Sequence, residues 1–304
     1  MTAPGSNPTP IVYLKLVLMA VFWGGTFIAG KVVAQNVGPF SAAFLRFAIA
    51  SVFLCLTAIR REGRLPLLRP SQLLPVFLLG MTGVLAYNVF FFKGLKLIEA
   101  GRAAIIIANN PICIALFSAL LFGERLTPLR LAGILTSIAG AVVVITRGDW
   151  HAIGSGAVGW GELFILGCVA SWVTFSLLGK RLLAELSPLA SVLYAALCGT
   201  VCLALPAWQE GLSTQWVAYT LADWLALFYL GFFGTVLGFV WYYQGIQHIG
   251  AIKASVFINF VPISAIVLSF FILREPLTGS LLLGTAMVLV GVYLTNRESL
   301  TGKV

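Results

Sequence analysis

The chain has 304 residues, of which 60% are hydrophobic and 10% charged, with a formal net charge of +9 and a mean hydropathy of +1.01. No single water-soluble core hides that much apolar surface, so a soluble enzyme is excluded and lipid must be the solvent. The positive charge does not mark a nucleic-acid binder, because the basic residues stand singly or in small groups between apolar runs.

The N-terminal stretch, residues 1–11, lacks the basic start of a signal peptide and is expected to be a disordered tail, with the apolar run after it retained as the first helix. A helix needs about 20 mostly apolar residues to cross a bilayer. Apolar runs bounded by charges, Gly and Pro predict spans at 12–34, 38–59, 72–92, 101–122 and 128–146, then at 159–179, 187–206, 222–246, 251–273 and 278–296. The fold class read from this is an all-α integral membrane protein with ten transmembrane helices. Cys55, Cys113, Cys168, Cys198 and Cys202 all fall inside these runs, where thiols pack as small hydrophobes, so neither a disulfide framework nor a zinc site is expected.

Charge placement sets the threading. With a cytoplasmic N-terminus, the inner ends carry Lys15, Arg60, Arg61, Arg64, Arg69, Arg125, Arg130, Lys180, Arg181, Lys253, Arg297 and Lys303, twelve residues. The outer ends carry six: Lys31, Lys93, Lys96, Arg102, Arg147 and Arg274. The excess puts both termini inside.

An internal repeat runs at a constant offset of 151 residues, pairing Gly83 with Gly234, Gly94 with Gly245, Ala100 with Ala251, Pro111 with Pro262, Glu124 with Glu275, Gly133 with Gly284 and Gly140 with Gly291. Near the starts of the halves the offset becomes 149, pairing Trp23 with Trp172, Lys31 with Lys180 and Pro39 with Pro188. A unit with an odd number of spans inserts its second copy upside down, so two inverted five-helix repeats are expected, at 12–147 and 159–297. Residues 148–158 form the outside loop between them, and 298–304 a C-terminal tail. Gly154, Gly156 and Gly159 in and beside that loop match the spacing of a dinucleotide fingerprint, but the strand that such a motif needs is missing.

Polar groups inside spans are costly, and so are the natural place to seek a translocation path. Asn109 and Asn110 precede Pro111, and Asn259 precedes Pro262; each proline removes a backbone donor and frees a carbonyl about one turn earlier. The Asn side chains there can line a cavity or satisfy the disturbed backbone, and the two prolines are expected helix kinks. Aromatic and polar residues meet at Trp23 and Thr26, at Tyr87 and Asn88, at Trp172 and Ser176, and at Trp241, Tyr242, Tyr243 and Gln244. Rings with a few fixed hydrogen-bonding groups suit a small amphipathic molecule such as an amino acid, although Trp and Tyr near a helix end also form interfacial belts. Arg46, the one formal charge well inside a span, is a possible charge partner for backbone carbonyls or a substrate carboxylate, or it snorkels. Glu162 is expected in interfacial solvent. Thr127 and Thr278 read as N-caps after tight turns, and the paired glycines of the fifth and tenth spans as close-packing faces.

The doubled signature of Gly94, Leu95, Ala100, Ala103, Pro111, Glu124, Gly133 and Gly140, with Trp23 and Gly24 early in the chain, resembles the EamA-type repeat of the drug/metabolite transporter superfamily. Within it the chain looks most like the YddG-type exporters of aromatic and other amino acids. The resemblance implies ten helices in inverted repeats and a secondary transporter of the bacterial inner membrane, exporting amino acids by alternating access through a cavity between the halves. That cavity is expected between the first, third, fourth, sixth, eighth and ninth helices, with Trp23, Thr26, Tyr87, Asn88, Asn110, Trp172, Ser176, Tyr243 and Asn259 binding substrate. The expected partners are the small-molecule substrate and the lipid bilayer, with no cofactor, metal, nucleic acid or obligate protein partner. Export of a nucleoside or cationic drug, a channel, or a membrane-embedded enzyme are the alternatives.

Overall fold

A computed structural model describes residues 10–63, 65, 67–122, 127–149, 158–182 and 186–300. Glu124, His151, Gly154 and Gly156 lie outside them, as does most of the expected 148–158 loop. Every described secondary element is helical. The principal helices are α1 (Pro10–Asn36), α2 (Pro39–Glu62), α3 (Pro70–Leu97), α4 (Ala100–Leu120), α5 (Pro128–Ile145), α6 (Trp160–Leu182), α7 (Pro188–Gln209), α8 (Leu221–Ile249), α9 (Lys253–Leu273) and α10 (Gly279–Leu300). Nine helices among the described residues are long and apolar enough to cross a membrane, and Gly279–Thr295 is a shorter apolar helix. The chain is a multi-pass membrane protein. Several helices outrun the expected spans, α3 most, because a helix can continue past the apolar run that hydropathy reads.

Local chemistry sets the helix ends. Pro39, Pro128 and Pro188 open α2, α5 and α7, where a missing N–H costs nothing. Thr127 Oγ1 accepts from Arg130 N at 3.3 Å and Ser187 Oγ from Ala190 N at 3.1 Å, while Thr278 Oγ1 accepts from Leu281 N at 3.3 Å, so both threonines cap as expected. At the far end of α2, Gly63 takes φ 75° and returns its N–H to Ile59 O, with Arg60 and Arg61 in the last turn.

Three helices widen, α9 only at its end over Ser269–Leu273, and two break. α3 is π-helical over Gly80–Ala86 and α8 over Tyr229–Leu237. α4 breaks at Ala108 and Asn109, just before Pro111, and α9 tightens to a 3-10 turn over Phe257–Asn259, just before Pro262. Pro111 and Pro262 thus stand in the first turn of the helical stretch that follows each irregular turn, where a missing N–H is tolerated.

Packing pairs the halves. α5 lies along α10, α2 against α7, α1 against α8 and α9, and α6 against α3 and α4. The glycines of α5 and α10 face each other so closely that a Cβ on Gly140 would stand 2.8 Å from Gly284 O, and one on Gly291 2.6 Å from Gly133 O. Phe91, Phe92, Leu16 and Met19 fill the interior, while Val201, Leu120 and Phe271 are exposed on the outer surface, as a lipid-solvated bundle requires.

Candidate functional site

Among the described residues, Arg46 is the charge held well inside a span rather than near a helix end. Arg46, 9% exposed on α2, reaches between the widened turns of α3 and α8. Its Nη1 donates to Asn88 Oδ1 at 2.9 Å, and its Nε and Nη2 share Thr235 Oγ1 at 3.4 Å each. Both acceptors are held in that role: Asn88 Nδ2 donates to Val84 O at 2.7 Å, and Thr235 Oγ1 donates to Leu230 O at 2.9 Å. Those carbonyls belong to the π-helical stretches, whose extra residue per turn takes backbone acceptors out of the regular α-helical ladder. Arg46 also lies over the Phe47 ring, 5.3 Å from its centroid. It does not snorkel.

Two aromatic groups flank this centre. Tyr87, next to Asn88, packs on Trp172 of α6 at 5.6 Å between centroids and on Phe91 at 6.0 Å. On the other side Trp23 meets Phe239 at 5.4 Å and Tyr242 at 5.6 Å, and its Nε1 donates to Gly234 O at 2.9 Å. Trp23 and Trp172, matched in the repeat, thus each face the widened helix of the opposite half.

The end of the bundle that carries Lys31 is tied by polar contacts. Glu275 accepts from Ala100 N at 2.7 Å and Gly101 N at 3.0 Å, capping α4, and Glu210 accepts from Phe40 N at 3.3 Å and Ser41 N at 2.7 Å, capping α2. Lys31 Nζ donates to Ile98 O at 2.7 Å, and Asn36 bridges to Asp223 at 3.3 Å. Arg102 Nη2 pairs with Glu162 Oε1 at 2.8 Å, and this pair floors a broad depression of about 600 Å³. Glu162 is 5% exposed, so burial opposite Arg102 replaces the interfacial solvation expected for it.

The end that carries Lys15 is different. A cavity of about 340 Å³ lies there among Arg61, Leu189, Val240, Tyr243, Gln244 and Gln247, where α2, α7 and α8 meet. This departs from the expected lining by the first, third, fourth, sixth, eighth and ninth helices; only the eighth contributes, because α2 and α7 stand closer to this mouth. Tyr243 is the one expected site residue in its wall.

The remaining expected residues are scattered. Thr26 is 8% exposed and spends its hydroxyl on Trp23 O at 2.6 Å. Asn110 is 8% exposed with its Oδ1 buried and unpartnered, whereas Asn109 takes Ser137 Oγ at 2.7 Å and donates to Ile105 O at 3.1 Å. Asn109 is therefore the backbone glue and Asn110 is not. Ser176 and Asn259 are half-buried. Sequence reasoning missed Thr235, Glu210, Asp223 and the Arg102–Glu162 pair. The repeat held a signal for Arg102, since Lys253 stands at its matched position 151 residues on.

Among known proteins, the model of the EamA-like transporter family matches the chain twice, at residues 10–146 and 159–297. The uncharacterized transporter YyaM of Bacillus subtilis is 29% identical, over 92% of this chain and 92% of its own length. A probable terminal-alkyne amino-acid exporter of Streptantibioticus cattleyicolor is 32% identical, over 94% of this chain and 93% of its own length. A solved crystal structure shares the fold, with a TM-score of 0.67 at 22% identity, covering 97% of this chain and 99% of that chain. With both halves matched and the fold shared along its length, this chain belongs to the EamA-like transporter family.

Proposed function

We propose that the protein is a secondary transporter that exports amino acids across the bacterial inner membrane by alternating access. In this reading ten helices cross the bilayer as two inverted repeats, 12–147 and 159–297, with both termini cytoplasmic. Reciprocal packing supports the inversion: α1 meets α8 and α9 as α6 meets α3 and α4, and α2–α7 and α5–α10 pair with their own counterparts. Matched Gly83 and Gly234 fall in the widened stretches of α3 and α8, and matched Pro111 and Pro262 follow the two breaks.

The observation that carries the mechanism is the reciprocal packing of the two matched halves. Carboxylate caps and an ion pair tie the Lys31 end, beside a broad depression of about 600 Å³, while a cavity of about 340 Å³ lies at the Lys15 end. Exchanging the shapes of two inverted halves reverses which end is open. The amino-acid class is supported by the aromatic walls at Trp23, Tyr87 and Trp172 and by the named exporter among the relatives. The chain carries no phosphate-binding loop motif, so the driving force is the substrate gradient or a coupled ion.

Purified protein in liposomes should take up radiolabelled amino acids with saturation and show counterflow. Flux no greater than in protein-free liposomes across a panel of amino acids, nucleosides and cationic drugs would remove the carrier reading. Flux without saturation or counterflow would instead indicate a channel.

A further inference from the structure

We propose that Arg46 is the group that recognises the cargo, by binding a single carboxylate, so that carriage requires a carboxylate on the transported molecule. The inference rests on the carrier reading and narrows its substrate class. An ionised side chain at this depth costs several kcal/mol unless something answers its charge. The ion pairs among the described residues belong to Arg102, and Arg46 has only the neutral acceptors Asn88 and Thr235. Hydrogen bonds orient the guanidinium and the Phe47 ring lies under it, but no carboxylate pairs with its charge.

The site is built rather than incidental. Guanidinium has five N–H donors. Three are directed at Asn88 and Thr235, two of them onto the same oxygen at 3.4 Å, which leaves one N–H on each terminal nitrogen without a protein acceptor. A carboxylate, with two oxygens, can accept from both. Asn88 and Thr235 are themselves fixed by the backbone carbonyls of Val84 and Leu230, so the guanidinium is oriented before the cargo arrives. The Tyr87 ring stands beside Asn88 in the chain and packs on Trp172, giving an apolar wall beside the charge. That pairing of one cation with aromatic rings suits a monocarboxylate with an apolar body. A phosphate ester, with up to two charges, would call for a second basic group, and no other Lys or Arg sits in the middle of a described span.

The test compares molecules that differ only at the carboxyl group: L-phenylalanine with L-phenylalaninamide, L-leucine with L-leucinamide, and 3-phenylpropionate with its amide. Each competes for flux in liposomes, and each is scored for thermal stabilisation of detergent-purified protein. The acid of each pair should compete at least about ten-fold better than its amide, the discrimination expected when a charged hydrogen-bond pair is lost. In Arg46→Gln that preference should vanish, while Arg46→Lys should restore part of it; a role confined to packing would lower amount or Tm and leave the ratio unchanged. Acid and amide acting equally on the wild-type protein overturn the inference with no variant needed. So does a folded Arg46→Gln that keeps the preference, or flux of other compounds that no carboxylate competes against. Those results leave the carrier standing, whereas absence of all flux strikes the carrier reading itself.

Discussion

Replacing Glu275 by Gln tests whether the Lys31 end is held shut by charge. The carboxylate receives Ala100 N–H at 2.7 Å and Gly101 N–H at 3.0 Å at the start of α4, 175 and 174 positions away in sequence. A hydrogen bond to a charged group contributes about 1.5–3 kcal/mol, and one between neutral groups about 1 kcal/mol. Gln keeps one oxygen acceptor but turns an NH2 toward the second backbone N–H, losing one bond, the charge on the other and the helix-dipole attraction. The net loss is at least about 2 kcal/mol, which shifts the closed-to-open ratio of this end by roughly 30-fold or more. The reporter is Ser269→Cys in a background whose native cysteines are Ala, since Ser269 is 2% exposed and its Oγ lies 3.3 Å from where a Gly101 Cβ would be. A membrane-impermeant maleimide applied to the Lys31 side should label this cysteine at least about ten times faster when Glu275→Gln is added than in the parent that keeps the carboxylate. A labelling rate within about two-fold of the parent would refute the clasp.

Further outcomes follow from the same contacts. Gly140→Leu should cost at least about 1–3 kcal/mol by driving a side chain into Gly284 O, seen as a lower Tm and less monodisperse protein in detergent, whereas Gly279→Ala, with open space at its Cβ, should not. Trp23→Phe removes the Nε1 bond to Gly234 O and should lower Tm by the loss of about 1 kcal/mol; Trp172→Ala should reduce flux more than it reduces folded protein. Thr220→Ala opens the capping box of α8, in which Thr220 Oγ1 accepts from Asp223 N at 3.2 Å and Asp223 Oδ2 from Thr220 N at 2.9 Å; a cost of about 1 kcal/mol should appear in thermal unfolding.

The bundle itself could be read from residues alone. Apolar run length dictates helices in lipid because every backbone N–H and C=O must be satisfied within its own segment. The same local logic placed Thr127 and Thr278 as caps, Pro111 and Pro262 at the breaks, and the glycines of α5 and α10 on a contact face. Each is a property of a few neighbouring residues, so one sequence suffices.

The site resisted that logic. Nothing near Arg46 in the chain names Asn88, 42 residues on, or Thr235, 189 residues on, as its partners. Glu275 stood out only as the repeat partner of Glu124, because the helix start it caps belongs to the other half of the chain. Glu162 looked like an interfacial carboxylate until Arg102 was packed against it. Hydropathy, caps and prolines settle which segments are helices and where they stop, since those energies act within one turn. Which helix widens, which carboxylate ties an end and which charge has no carboxylate beside it are decided when the helices pack, because a buried polar group takes its partner from whatever surface lies opposite.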